Sequence, residues 1–193
     1  VVFQLIGRHV SDSDRYRKEE AYFTPGDIRR EDLTQQERQV VADYDNATRY
    51  NDQVVDAILA RFTDRDAIAV YLSDHGEEVY DYRDFFCRSH DLPLTPEVCK
   101  YQFEIPFMIW MSDTYRRNRP DVAAQVAGAL DRPFSADDLS HLLLDLAGIR
   151  CRWYDPARSL IGERFDTTRP RPLLMGFEPA GNYETIIGRD RKQ

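Results

Sequence analysis

The sequence predicts an α/β domain: a mostly parallel sheet with helices on both faces. Two observations carry that expectation. Three apolar runs, Val1–Ile6, Ala67–Leu72 and Ile105–Met111, are continuous rather than alternating, as in strands covered on both faces. Helical periodicity fills the stretch between the first two runs and follows the third, and strands that alternate with helices favour parallel pairing through crossovers.

Taken in order, the first run ends at Gly7. A long helix starts at Thr34, a suitable N-cap with Glu37 three residues on, which is the capping-box spacing. Val40, Val41, Tyr44, Ala47, Val54, Val55, Ile58, Leu59 and Phe62 then recur at helical intervals. The strand Ala67–Leu72 completes a strand–helix–strand unit, and Ile105–Met111 is a third strand. Further helices are expected from Pro120 to Leu130 and from Ala136 to Ala147, with Gly148 as the stop. The Arg/Pro-rich stretch "DTTRPRPLLMGFEPAGNYETII" reads as a loop and then a small hairpin. Residues 1–150 are therefore read as the α/β domain and 151–193 as a peripheral extension with that hairpin.

Composition narrows the class. The 193 residues are 42% hydrophobic and 31% charged, enough for an ordinary packed core. The net charge is -8 and the basic residues are scattered, which argues against a nucleic-acid partner. No apolar run approaches the roughly 20 residues of a membrane span. The chain opens on an apolar run without an initiator Met and reads as cut from a longer protein. Cys87, Cys99 and Cys151 form no C-x-x-C pair; they read as ordinary residues, with a Cys87–Cys99 bridge open in an oxidising compartment.

The chemistry concentrates at "VYLSDHGEEVYD". In open α/β sheets, ligands bind beyond the carboxyl ends of strands. Asp74 and His75 follow Ala67–Leu72 directly, His9 follows Val1–Ile6 by three residues, and His90 lies in the polar loop that leaves the same edge. Imidazole and carboxylate are ligands that zinc and manganese accept, and two adjacent ions suit phosphoryl transfer. Turn chemistry is the plain alternative, with Gly76 supplying backbone freedom; it accounts for single residues but not for a shared rim. Glu77 and Glu78 are candidate outer acceptors that orient a ligand histidine, with a solvated acidic turn as the competing role. His141, among leucines, reads as a hydrogen-bonded interior residue. "DYDNATRYNDQ" lacks the sixth-position Gly of a calcium loop. G-x-S-x-G, P-loop and G-x-G-x-x-G patterns do not occur. Ser73 is the hydroxyl nearest in sequence, but strand alternation turns it away from Asp74.

"QLIGRHVSDSDRY", "DYDNATRYNDQVVDAIL", "VYLSDHGEEVYD", the "GRH" and "RSH" histidines and "IPFMIWMSD" resemble, in order and spacing, the periplasmic catalytic domain of bacterial phosphoethanolamine transferases of the alkaline phosphatase/sulfatase superfamily. The resemblance runs from Val1 to Ile149. It implies an alkaline phosphatase/sulfatase-like fold of which this chain is a part. It also implies metal-dependent transfer of phosphoethanolamine from phosphatidylethanolamine to lipid A, lipopolysaccharide core or another envelope acceptor, at the periplasmic face of the bacterial inner membrane. Asp74 and His75 match zinc ligands beside a nucleophilic threonine; His9 and His90 match histidines that face the transferred phosphate or a second zinc, with Glu77 joining them toward substrate. Zinc, as one or two ions, is the implied cofactor, ahead of manganese and calcium. Two departures stand out: Gln4 replaces the first His of an "H-L-x-G-x-H" motif, and the threonine and a further acidic ligand have no counterpart here. The expectation is therefore a membrane anchor and nucleophile upstream of Val1, and a chain inactive by itself. Sulfatase or phosphodiesterase hydrolysis and a non-catalytic binding domain are the competing readings.

Overall fold

The computed structural model describes residues 1–7, 9, 11–89, 93–175 and 178–188. Among them, the strands are β1 (Ile68–Leu72), β2 (Glu78–Val79), β3 (Phe86–Cys87), β4 (Phe107–Met111), β5 (Pro172–Met175) and β6 (Glu178–Asn182). The helices are α1 (Gln35–Ala60), α2 (Pro96–Phe103), α3 (Asp113–Asn118), α4 (Pro120–Ala127), α5 (Leu139–Leu146) and α6 (Tyr183–Ile186). The chain divides into two compact units, Val1–Phe62 with Glu77–Cys87, and Thr63–Gly76 with Arg88–Gln193.

The first unit is organised by α1. Its capping box is formed: the Glu37 N–H donates to Thr34 Oγ1 at 3.3 Å and the Thr34 N–H donates to Glu37 Oε2 at 2.6 Å. Two orphan donors of the first turn are thereby satisfied, so the helix begins where the sequence expects. Asn46, buried on α1, anchors the preceding loop. Its carboxamide oxygen accepts from the Tyr22 and Phe23 N–H groups at 2.7 and 2.9 Å, and its Nδ2 donates to the Phe23 carbonyl at 2.8 Å. Tyr16 adds a bond to Asp43 at 2.5 Å; burial, and then the Asp43 carboxylate, push its phenol up to about 12. The segment weighed above as a calcium loop is thus helical, and its polar side chains fasten chain to helix. The β2–β3 ladder pairs Glu78 with Cys87 and Val79 with Phe86. Glu78 is fully buried and is met by the Arg83 fork, Nε to Oε2 and Nη2 to Oε1, both at 2.8 Å. A buried carboxylate needs such a partner.

In the second unit, β1 and β4 pair antiparallel, from Ile68 opposite Met111 to Leu72 opposite Phe107. Phe107 and Ile109 pack on a core of Ala129, Leu142, Leu160 and Ile161, together with Val122 and Val126 of α4 and Leu139 and Leu146 of α5. Ser112 ties the end of β4 to the chain entering β1: its hydroxyl donates to the Arg65 carbonyl at 2.6 Å and accepts from the Ala67 and Tyr115 N–H groups at 3.3 and 3.0 Å. Gly148 follows α5 at a φ of +67°, the left-handed position that ends helices. β5 and β6 pair antiparallel with an irregularity at Leu173/Leu174. Asp138, nearly buried, receives both Arg158 and Arg169 and holds this C-terminal stretch to the start of α5.

Two expectations are corrected. Every strand pair among the described residues is antiparallel rather than parallel. Val1–Ile6, read as a strand, is irregular and exposed. An apolar run records a tendency to be buried; it does not name the neighbour or its direction. β1 and β4 are half-buried along their whole length rather than enclosed on both faces. All three cysteines are free, so the Cys87–Cys99 bridge is not formed. Cys99 is fully buried, and desolvation, with Glu104 next, raises its thiol to about 11. No helix among the described residues is long and apolar enough to cross a membrane.

Candidate functional site

β1 ends at Leu72, and Ser73, Asp74, His75 and Gly76 form the turn beyond it. Ser73 closes this turn by donating its hydroxyl to the His75 carbonyl at 2.7 Å, a structural use of the hydroxyl nearest the pair. His75 Nδ1 lies 2.7 Å from the Gly76 carbonyl. A carbonyl only accepts, so Nδ1 carries the proton and Nε2 of the neutral ring presents a lone pair. That lone-pair nitrogen is 3.9 Å from Asp74 Oδ1, whose side chain is 90% exposed while that of His75 is 39% exposed. Zinc bonds to nitrogen and oxygen are about 2 Å long, and tetrahedral coordination holds two such ligand atoms about 3.3 Å apart, so a rotation of the exposed Asp74 side chain by a fraction of an ångström brings the two atoms to the spacing of one ion. A ligand histidine whose other nitrogen donates to a backbone carbonyl is the usual arrangement for fixing the ring. The pair could supply two of the ligands that such an ion needs, once Asp74 turns toward the ring.

Gly76 is the residue on which the turn depends, and not through a left-handed backbone, which it does not adopt. A Cβ built there would lie 2.2 Å from the Tyr101 carbonyl oxygen and 3.1 Å from that of Glu104. Glycine is needed because the turn rests directly on the C-terminal end of α2, where the Gly76 N–H donates to the Gln102 carbonyl at 3.0 Å. The sequence suggested freedom of the chain here; the structure shows close approach instead. α2 itself starts at Thr95, whose Oγ1 accepts from the Val98 N–H at 3.3 Å, with Pro96 in its first turn. Its far end is held by Tyr183, whose hydroxyl donates to the Glu104 carboxylate.

The remaining candidates are placed as follows. His9 belongs to the first unit; its N–H donates to the Ile6 carbonyl at 3.0 Å and its carbonyl accepts from Arg15 Nε at 2.6 Å. The strand that was to deliver it is not formed. Glu77 is half-buried in the same unit, and Glu78 is the buried partner of Arg83 rather than a solvated acid. His90 lies outside the described residues. His141 is 7% exposed, and its Nδ1 accepts from the Asp155 N–H at 3.0 Å, an interior hydrogen-bonded role. Among the described residues no group of three or more His, Cys, Asp or Glu side chains could hold a metal; within the second unit Asp74 and His75 approach each other at 3.9 Å. Sequence reasoning missed Gln102 and the Glu78–Arg83 pair. The i,i+5 spacing of Glu78 and Arg83 was their sole signal.

A separate polar cleft of about 510 Å³ in the first unit is lined by residues that include Arg30, Asp32, Glu37, Asp81, Arg83 and Asp84. Its two arginines are committed to Asp32 and Glu78.

Comparison with known proteins places the chain in a family. The sulfatase family model matches residues 1–149. The chain is 35% identical, over 181 residues, to the phosphoethanolamine transferase EptC of Escherichia coli O18:K1:H7 (strain RS218 / NMEC), covering 88% of this chain and 29% of that protein. It is 29% identical to the Kdo(2)-lipid A phosphoethanolamine 7''-transferase of Escherichia coli (strain K12), covering 64% of this chain and 21% of that protein. The crystal structure of the C-terminal periplasmic domain of EcEptC from Escherichia coli superposes with a TM-score of 0.78 at 31% identity, covering 96% of this chain and 52% of that one. The same domain in complex with Zn gives 0.77 at 30% identity, with 96% and 51% covered. The chain thus spans under a third of the length of these curated relatives and about half of the solved domain. It has an alkaline phosphatase/sulfatase-like α/β fold, in part, and it belongs to the sulfatase family as a homologue of phosphoethanolamine transferases.

Proposed function

We propose that this chain is part of a zinc-dependent enzyme that transfers phosphoethanolamine from phosphatidylethanolamine to an envelope acceptor such as lipid A or lipopolysaccharide core, at the periplasmic face of the inner membrane. The observation that carries the reading is the Asp74–His75 pair, with one ring nitrogen pinned to the Gly76 carbonyl and the other 3.9 Å from the Asp74 carboxylate. The solved EcEptC domain in complex with Zn and the names of the relatives support it.

In this reading Asp74 and His75 hold the metal, while His9, His90 and Glu77 serve the transferred phosphate or its headgroup, the two histidines doubling as ligands of a second ion. Zinc, when bound, supplies Lewis-acid stabilisation to phosphoryl oxygens. Asp74 contributes negative charge at an open surface, and His75 contributes a lone pair held in one tautomer by the Gly76 carbonyl. Residues 1–150 form the catalytic part and 151–193 an extension. In this reading the attacking hydroxyl is not that of Ser73, which is engaged with the His75 carbonyl.

The test is calorimetric titration of the chain with zinc, beside Asp74→Asn and His75→Ala. Either substitution is expected to weaken binding at least tenfold, as loss of a direct ligand should. Zinc binding unchanged by both variants overturns the assignment. The sulfatase description of the family model keeps a hydrolase in view. A full-length homologue carrying these residues that releases free phosphoethanolamine to water, rather than passing it to lipid A, would favour hydrolysis.

A further inference from the structure

We propose that Gln102 is the positioning residue of the Asp74–His75 turn, holding the chain on both sides of the 77–87 excursion; the inference rests on the metal reading above. The chain leaves the second unit after Gly76 and re-enters it at Arg88. Gln102 meets both ends. Its backbone carbonyl accepts from the Gly76 N–H at 3.0 Å, and its side-chain Oε1 accepts from the Ser89 N–H at 3.2 Å.

Gln102 is fully buried near the C-terminal end of α2. A carboxamide taken out of water costs free energy unless its hydrogen bonds are made, and an apolar side chain of similar volume fills space more cheaply. A Gln in that position therefore has a use that Leu or Met cannot serve, and the Ser89 N–H identifies it. The main-chain half of the clamp also satisfies one of the carbonyls that a helix end leaves unpaired. Because a Cβ at Gly76 would lie 2.2 Å from the Tyr101 carbonyl oxygen, the turn rests on the end of α2, and that end is what the Gln102 side chain ties to the Ser89 amide. Gly76 in turn offers the carbonyl that fixes the His75 ring. The path from Gln102 to the ligand nitrogen thus runs through one residue. Tyr183 secures the same helix end through Glu104.

The test uses the whole chain with Gln102→Met, which keeps volume and the main-chain carbonyl but removes the acceptor for Ser89, and Gln102→Glu, which retains an acceptor oxygen. Three quantities are read: zinc affinity, amide exchange at Gly76 and Ser89, and the His75 tautomer from ring nitrogen chemical shifts. Gln102→Met is expected to bind zinc about tenfold more weakly, in keeping with lost support of a ligand. It should also exchange the Ser89 amide faster and lose the single Nδ1–H signature of His75, with Gln102→Glu restoring all three. Wild-type zinc affinity and an unchanged His75 tautomer in a folded Gln102→Met overturn the proposal while leaving the metal reading intact. If the unaltered chain binds no zinc, the metal reading fails; the tautomer and exchange data then decide on Gln102 by themselves. Should Gln102→Met fail to fold, Ser89→Pro removes the same hydrogen bond from the donor side. An unchanged His75 tautomer in that variant overturns the proposal.

Discussion

Replacing Gly76 by Ala isolates the close approach on which the site is built. The new methyl would sit 2.2 Å from the Tyr101 carbonyl oxygen, against a floor near 3.0 Å for real contacts, so turn and helix must separate by about 0.8 Å. The obstacle is backbone, which cannot swing aside as a side chain would. Forcing an extra methyl into a packed contact costs about 1–3 kcal/mol, and stretching the Gly76–Gln102 hydrogen bond costs about 1 kcal/mol more. The sum, about 2–4 kcal/mol, corresponds to a melting point lower by roughly 5–15 °C in a chain of this size. The assay is thermal melting by circular dichroism beside Gly26→Ala, where a methyl meets nothing closer than the Thr24 hydroxyl at 3.6 Å. That control should melt near the wild-type temperature. A Gly76→Ala chain that melts within about 2 °C of wild type would refute the argument, because the turn would then not rest on α2 as described.

Arg83→Leu should destabilise by about 3 kcal/mol, since it strips the fully buried Glu78 of its fork; in chemical denaturation, the double variant Glu78→Leu with Arg83→Leu should recover much of that loss. Asn46→Ala removes three hydrogen bonds to the Tyr22–Phe23 backbone and should cost about 2–3 kcal/mol, with faster amide exchange at Tyr22 and Phe23 as the local readout. Acid should loosen two joints in particular. Hydrogen bonds with Thr34 hold the Glu37 carboxyl below its ordinary range, and those from Arg119 and then Asn118 do the same for Asp66. A carboxylate depressed in the folded state stabilises above its unfolded pKa and loses that contribution as pH falls through the folded one. Stability should therefore be flat above about pH 5 on this account and decline below about pH 4.5. Glu37→Gln with Asp66→Asn should flatten the decline, and a pH–melting curve unchanged in that double variant would argue against it.

The start of α1 could be read from Thr34 and Glu37 because a capping box is a local arrangement within four residues. The cores of α4 and α5 and the extents of β1 and β4 were legible for the same reason: apolar periodicity records burial along one segment. The position of Asp74 and His75 just beyond a strand was legible as well, since both follow the apolar run directly in sequence. The direction of β1 against β4, the exposed course of Val1–Ile6 and the reason for glycine at position 76 were not. Each depends on what another part of the chain brings alongside, and the pattern of a single segment carries no information about its neighbour. Gln102 shows this most plainly: by sequence it is one polar residue on a short helix. Its role follows only when folding sets its two oxygens against the amides of Gly76 and Ser89, because a buried polar group acquires its meaning from its partners.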